Sequence, residues 1–210
     1  MNNLLYTYHY VYSKLNKKDN CDIVYFDFSK AFDKVPIDIL LSKLSAFGVD
    51  THLINLISTL LIGRKQIVNV NGNLSDGLDV TSGVPQGSPI SPTLFNIFIN
   101  DLLELKLNSK ICGYADDIKI FNTPGFLLQA DIDLISSWAL RNQMVINVNK
   151  TFVIRFGKNN PNYNYLLNGS VIETKEFTKD LGLIVDDKLK FLDHIRTVKN
   201  KCFKMINIIF

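Results

Sequence analysis

A chain of 210 residues, 47% hydrophobic and 20% charged, can bury a sizeable core as one domain or one and a half, and its composition excludes a disordered chain. The net charge of +3 accommodates a nucleic-acid partner but falls short of a balance that would argue for one. Cys21, Cys112 and Cys202 are far apart and odd in number, without disulfide or metal-ligand spacing, so reduced intracellular thiols are expected.

Leu4, Leu5, Tyr8, Val11, Tyr12 and Leu15 recur at helical spacing, and the polar run 16–20 ends that helix. No basic n-region or small-residue cleavage site marks this start as a signal peptide, so an intracellular chain is expected, in nucleus or cytoplasm. The β-branched and aromatic run Ile23 to Phe28 predicts a strand, with Tyr25 and Asp27 on the face opposite Phe26 and Phe28. Helices are expected from Pro36 to Phe47, stopped by Gly48, and from Asp50 to Ile62, stopped by Gly63. The apolar stretch Leu53 to Ile62 is too short to span a bilayer, and no membrane partner is expected.

Residues 66–71 and 77–81 read as a hairpin around Asn71-Gly72-Asn73, followed by a Gly/Pro/Ser-rich loop from Ser82 to Pro92. Ser91 to Leu107 reads as a buried helix, apolar over much of its circumference. A hairpin then presents Asp116-Asp117 at its turn between the apolar runs 110–113 and 118–121. Phe126 to Asn142 reads as a helix, 145–147 and 152–156 as strands, and Asn168-Gly169 as a hairpin turn. The last helix, from Leu192, is basic, with Arg196, Lys199, Lys201 and Lys204 against Asp193 alone. Hairpins interleaved with helices predict an α+β fold around a mainly antiparallel sheet.

Adjacent carboxylates at 116 and 117 repel, and a divalent cation between them would relieve the repulsion; Asp-Asp is also ordinary turn chemistry. If strand 23–28 pairs beside the 110–121 hairpin, Asp27 joins them. Three carboxylates can hold two metal ions about 3.5–4 Å apart, an arrangement suited to phosphoryl transfer. Hard oxygen ligands favour Mg²⁺, with Mn²⁺ the substitute.

Three segments now carry a resemblance. Phe26-Asp27-Phe28-Ser29-Lys30-Ala31-Phe32-Asp33-Lys34-Val35, then Gly83-Val84-Pro85-Gln86-Gly87-Ser88-Pro89-Ile90-Ser91-Pro92 with the Leu94–Leu102 helix, and Tyr114-Ala115-Asp116-Asp117 resemble motifs A, B and C of reverse transcriptases. The wording is closest to non-LTR, LINE-type retrotransposon enzymes and departs from group II intron and retron enzymes. The match continues through Asn147-Val148-Asn149-Lys150-Thr151, similar to motif D, and Leu181-Gly182.

The resemblance implies a polymerase palm over 1–157, and over 158–210 a primer-grip hairpin and the start of a basic helical thumb. Twenty-six residues precede Asp27, so it also implies that the fingers are largely missing. Asp27 and Asp116 would ligate two Mg²⁺ ions, supported by Asp117 and the Phe28 carbonyl. Phe32 would exclude a ribose 2′-OH, although by residue type it is an ordinary core phenylalanine. Gln86 and Gly87 would line the nucleotide and template pocket, and Lys150 would sit near the triphosphate, or else be a solvated lysine. Tyr114 would pack below the catalytic turn and touch the primer, and Leu181 and Gly182 would also contact it. Asp180 stands where the family usually has tyrosine. Lys30 and Asp33 read as structural, paired with each other or with neighbouring turns. The implied partners are an RNA or DNA template with primer, dNTPs and the remainder of a retrotransposon polyprotein. The competing expectation is a catalytically silent remnant that at most binds nucleic acid through its basic helix.

Overall fold

The computed structural model describes residues 3–209. Helix α1 (Asn3–Asn16) leads into strand β1 (Cys21–Phe26), a short 3-10 turn (Ala31–Lys34), and helices α2 (Ile37–Ala46) and α3 (Thr51–Leu61). Asp50 caps α3 by accepting the His52 N–H at 2.8 Å. An exposed ribbon follows, with β2 (Lys65–Gln66) paired to β5 (Leu78–Asp79) and β3 (Asn69–Val70) to β4 (Asn73–Leu74). The single hairpin expected here is thus interrupted. Ser75 explains the break, because its hydroxyl accepts the Val68 N–H and replaces a ladder bond with a side-chain one.

Helix α4 (Ser91–Leu103) buries Leu94, Phe95, Phe98, Ile99 and Leu102. It ends four residues short of the expected Leu107. The buried Asp131 carboxylate accepts the N–H groups of Asn108 and Ser109, holding that segment as a connection rather than a helical turn. Strands β6 (Lys110–Tyr114) and β7 (Asp117–Asn122) form the expected hairpin, and helix α5 (Phe126–Arg141) follows. Residues 145–147 are not a strand and contribute only an isolated bridge, Phe28 to Ile146. Asn147 diverts the chain there: its carbonyl accepts from Lys150 and Thr151, and its side chain from Asn149. The chain continues through β8 (Phe152–Phe156), β9 (Leu166–Leu167), β10 (Ser170–Val171), β11 (Glu173–Thr174), β12 (Phe177–Asp180), β13 (Leu183–Asp186) and helix α6 (Leu192–Ile209).

The main sheet runs β11-β8-β1-β7-β6, antiparallel except for β11 with β8. Period-two alternation sends Val24, Phe26, Ile118, Ile120 and Val153 into one apolar cluster with α2, α4 and α5. Cys21, Ile23, Phe121, Ile154 and Phe156 enter a second cluster with Tyr8 and Val11 of α1. Since β1 is covered on both faces, it reads as a near-continuous apolar run. No helix among the described residues is long and apolar enough to cross a membrane.

Candidate functional site

The site forms where β1 ends beside the β6–β7 turn. Phe26 is paired with Ile118, so one further step along both strands brings Asp27 beside Asp117. Alternation puts Asp27, Tyr25, Asp117 and Lys119 on the face of the sheet that α1 covers. Tyr114 and Asp117 are paired across the turn, leaving Ala115 and Asp116 as its two residues. Ala115 takes a φ of 53°, where an L residue is strained, directly before the two aspartates.

The backbone of Asp27 is fixed from the other side. Its carbonyl accepts the Asn147 N–H at 2.7 Å, and its own N–H reaches the buried Thr151 hydroxyl at 3.4 Å. The same Asn147 turn carries Lys150, so the lysine and the aspartate are anchored to one another through the main chain. In the Phe28–Ile146 bridge the two bonds run through Ser29 and Asp27. The Phe28 carbonyl is thereby directed to the opposite edge, which β7 and its turn occupy.

A cavity of about 130 Å³ lies at this junction, lined among others by Asp27, Asp117, Lys119, Lys150, Asp180 and Leu181. The Asp117 carboxyl is raised above the usual range, first by partial burial, then by the charges of Asp116 and Asp180, with Asp27 adding and Lys119 opposing. The residue as a whole stays exposed. No three His, Cys, Asp or Glu side chains among the described residues converge into a metal-ligating group. Asp27 and Asp117 both line the cavity, and Asp116 lies in the adjoining turn.

The glutamine-glycine loop meets the segment after β1 at a second junction. Val84 N–H bonds to the Phe32 carbonyl, Gly83 N–H to Val35, and the Ser82 hydroxyl to the Asp33 carbonyl. Gly83 is required here: its φ is 84°, and a Cβ would lie 2.6 Å from the Asp33 carbonyl oxygen. Gln86 donates its side-chain N–H to the Asp33 carboxylate at 2.8 Å, so Asp33 pairs with a neighbouring turn and not with Lys30. Phe32 is half-buried and stacks on Phe95 with ring centroids 4.3 Å apart. Gly87 has a φ of 82° and open space where a Cβ would point.

A wider groove of about 980 Å³ is lined by Lys30, Asp33, Lys34, Lys65 and Gln86, among others. Of the residues picked from sequence, Asp27, Asp117, Lys150 and Leu181 line the cavity and Gln86 lines the groove with Lys30 and Asp33, while Phe28, Phe32, Gly87, Tyr114, Asp116 and Gly182 line neither. Tyr114 does not pack below the turn. It is 64% exposed, at the end of the edge strand β6. Leu181 and Gly182, both at positive φ, form the tip of the β12–β13 hairpin.

Sequence reasoning missed a buried charge cluster beneath the turn. Asp180 accepts from Lys119 at 2.5 Å, from Tyr8 at 2.8 Å and from Tyr25 at 3.3 Å, all on one carboxylate oxygen. The signal available was Asp180 itself, a carboxylate standing where the family usually has tyrosine.

The family model for "Reverse transcriptase (RNA-dependent DNA polymerase)" matches residues 5–199. The chain is 29% identical over 202 residues to "RNA-directed DNA polymerase from mobile element jockey" of Drosophila funebris, covering 89% of this chain and 22% of that protein. It is also 29% identical over 150 residues to "Retrovirus-related Pol polyprotein from type-1 retrotransposable element R2" of Popillia japonica, covering 65% and 24%. Among solved structures, apo telomerase from Candida tropicalis superposes with a TM-score of 0.63 at 13% identity, over 91% of this chain and 36% of that one. At that identity the likeness speaks for the fold alone. The chain spans about a quarter or less of the length of these curated relatives.

Proposed function

The chain belongs to the reverse transcriptase family, and from that premise we propose that it carries the nucleotidyl-transfer centre of an RNA-directed DNA polymerase. The reaction would join dNTPs to a primer 3′-OH on an RNA or DNA template, within a non-LTR retrotransposon polyprotein. In this reading residues 1–157 are the palm, and 158–210 the primer-grip hairpin and first part of the thumb. The observation that carries it is the β1–β7 register, which puts Asp27 beside Asp117 with Asp116 in the adjoining turn.

The family generally uses divalent metal ions, and the donor set fits one: oxygens only, on neighbouring carboxylates that raise the proton affinity of Asp117. Asp27 and Asp116 would hold two Mg²⁺ ions, or Mn²⁺, with Asp117 and the Phe28 carbonyl in support. When bound, the ions supply the positive charge that phosphoryl transfer needs at the attacking and leaving oxygens.

The remaining roles follow from where the side chains sit. Lys150, exposed at the cavity and tied to Asp27 through Asn147, would meet the triphosphate. Phe32 is held by its stack on Phe95 and would present a fixed wall to a ribose 2′-OH. Gln86, oriented by Asp33, and Gly87, with open space beside it, would border the incoming nucleotide and template. The exposed ring of Tyr114 and the hairpin tip Leu181-Gly182 would contact the primer.

Primer extension by the protein in its natural length, on an RNA template with dNTPs, tests this reading. Incorporation that depends on Mg²⁺ and disappears in Asp116→Asn supports it. Incorporation that persists in Asp27→Asn and Asp116→Asn would overturn the metal assignment.

A further inference from the structure

The hairpin that carries Leu181-Gly182 has little backbone attachment to the main sheet. Strands β12 and β13 pair only with each other, and an isolated two-stranded hairpin is marginal in water. Val185 buries an apolar side chain in the α1-side cluster, while Phe177 and Lys179 face solvent. What reaches from the hairpin to the catalytic strand is Asp180, one residue before the tip. Its carboxylate meets donors from three other elements: Lys119 of β7, Tyr8 of α1 and Tyr25 of β1. Asp180 is 6% exposed and Lys119 3%, so bulk water has little access to the pair. Burial and the Asp180 charge push both phenols upward, which keeps them protonated and donating.

A buried ion pair is a poor way to gain stability, since apolar residues of similar volume often serve as well or better. It is a good way to specify geometry, because a charge of one sign inside the protein tolerates few positions for its partner. Lys119 lies two residues from Asp117 on the same face of β7, and Asp180 adjoins Leu181. Both residues line the cavity that Asp27 and Asp117 border.

We propose that the Lys119–Asp180 pair is a positioning device that locks the β12–β13 hairpin tip to the catalytic strand, so that Leu181 and Asp117 are set as one unit. The pair touches no reacting atom and acts through the placement of the primer end. The proposal rests on the polymerase reading for its functional consequence, but not for its structural one.

The test uses the protein in its natural length with Asp180→Asn, Lys119→Met and both together. Single-nucleotide addition and hydrogen exchange of the 177–186 amides are measured on each. Either single substitution is expected to lower kcat about 10²-fold, the scale of a small misplacement, with the KM for dNTP unchanged and the titrated concentration of active sites as in the parent. Hairpin amides should exchange at least about tenfold faster, as expected for losing a hydrogen bond to a charged group, and by a larger factor than the β8 amides. The double variant should lose no more activity than the worse single one. Additive losses in the cycle, or hairpin exchange unchanged in both single variants, would overturn the proposal. Should the single variants fail to fold, the double variant, which leaves no unpaired buried charge, decides by its hairpin exchange alone; a parental rate sinks the idea. A parent protein that extends no primer defeats the polymerase reading, while the exchange data still decide the pair.

Discussion

Two charged groups on β7, two residues apart, are handled in opposite ways. Asp117 stays at the exposed rim beside Asp116 and the Asp27 position, where partial burial and then like charges raise its proton affinity. Lys119 is buried, with its ammonium held on Asp180. The difference teaches how this fold handles charge on one strand: the buried ammonium is matched by a hydrogen-bonded carboxylate, while the unmatched like charges stay at the rim. The rim is thereby left ready for a positively charged ligand, while the buried pair supports the strand that presents it.

That contrast can be broken at either end. The largest effect is expected at the rim, where Asp27→Asn or Asp116→Asn should lower primer extension by at least about 10²–10³-fold, as removing an electrostatic stabiliser does. The same variants should melt no lower than the parent, because each removes a repelling charge. A joint loss of activity and thermal midpoint would mean that the rim carboxylates are structural after all.

At the buried end the balance reverses. Lys119→Ala should cost about 3–5 kcal/mol by leaving Asp180 uncompensated, read as a shift in urea midpoint. A cost below 1 kcal/mol, the usual worth of an exposed pair, would show that water reaches the pair. An uncharged joint supplies the intermediate scale. Gly83→Ala should destabilise by about 1–3 kcal/mol through its positive φ, and by more if Asp33 cannot shift from the new Cβ.

The smallest effect belongs to a third carboxylate, Asp22, which is buried without a cation bonded to it. It accepts from Asn160 at 2.7 Å and from Tyr165 at 2.8 Å. Burial pushes its pKa up from the usual 3.8, against the opposing help of Asn160, Tyr165 and Arg155. The folded protein therefore keeps this proton to higher pH than the unfolded chain does. Stability from this group falls as pH rises from 3.8 through the raised value, then levels off. Asp22→Asn should remove that slope from urea midpoints measured over about pH 4 to 7, and an unchanged slope would assign it to another group.

Much of the site was legible because its signals are local. The alternation of Ile23 to Phe28, the turn at 114–117 and the glycines of the 83–87 loop each specify their own backbone, and the β1–β7 pairing was foreseeable from two apolar strands needing partners. The misses are cases where one side chain overrode the pattern. Asn147 turned an apolar run into a bend, and Asp131 captured the N–H groups beyond α4.

By itself the sequence determined the family, the order of helices and hairpins, and the acidic residues at the ends of β1 and the β6–β7 turn, because hydrophobic period and turn chemistry act over a few residues. Only the tertiary structure decided that Asp33 answers Gln86 rather than Lys30, and that Lys119 answers Asp180 from 61 residues away. Residue spacing carries no information about which of several distant charges will be buried together. Burial selects the partner: Lys119 is removed from water, and Asp180 is the counter-charge that the packed elements bring within reach.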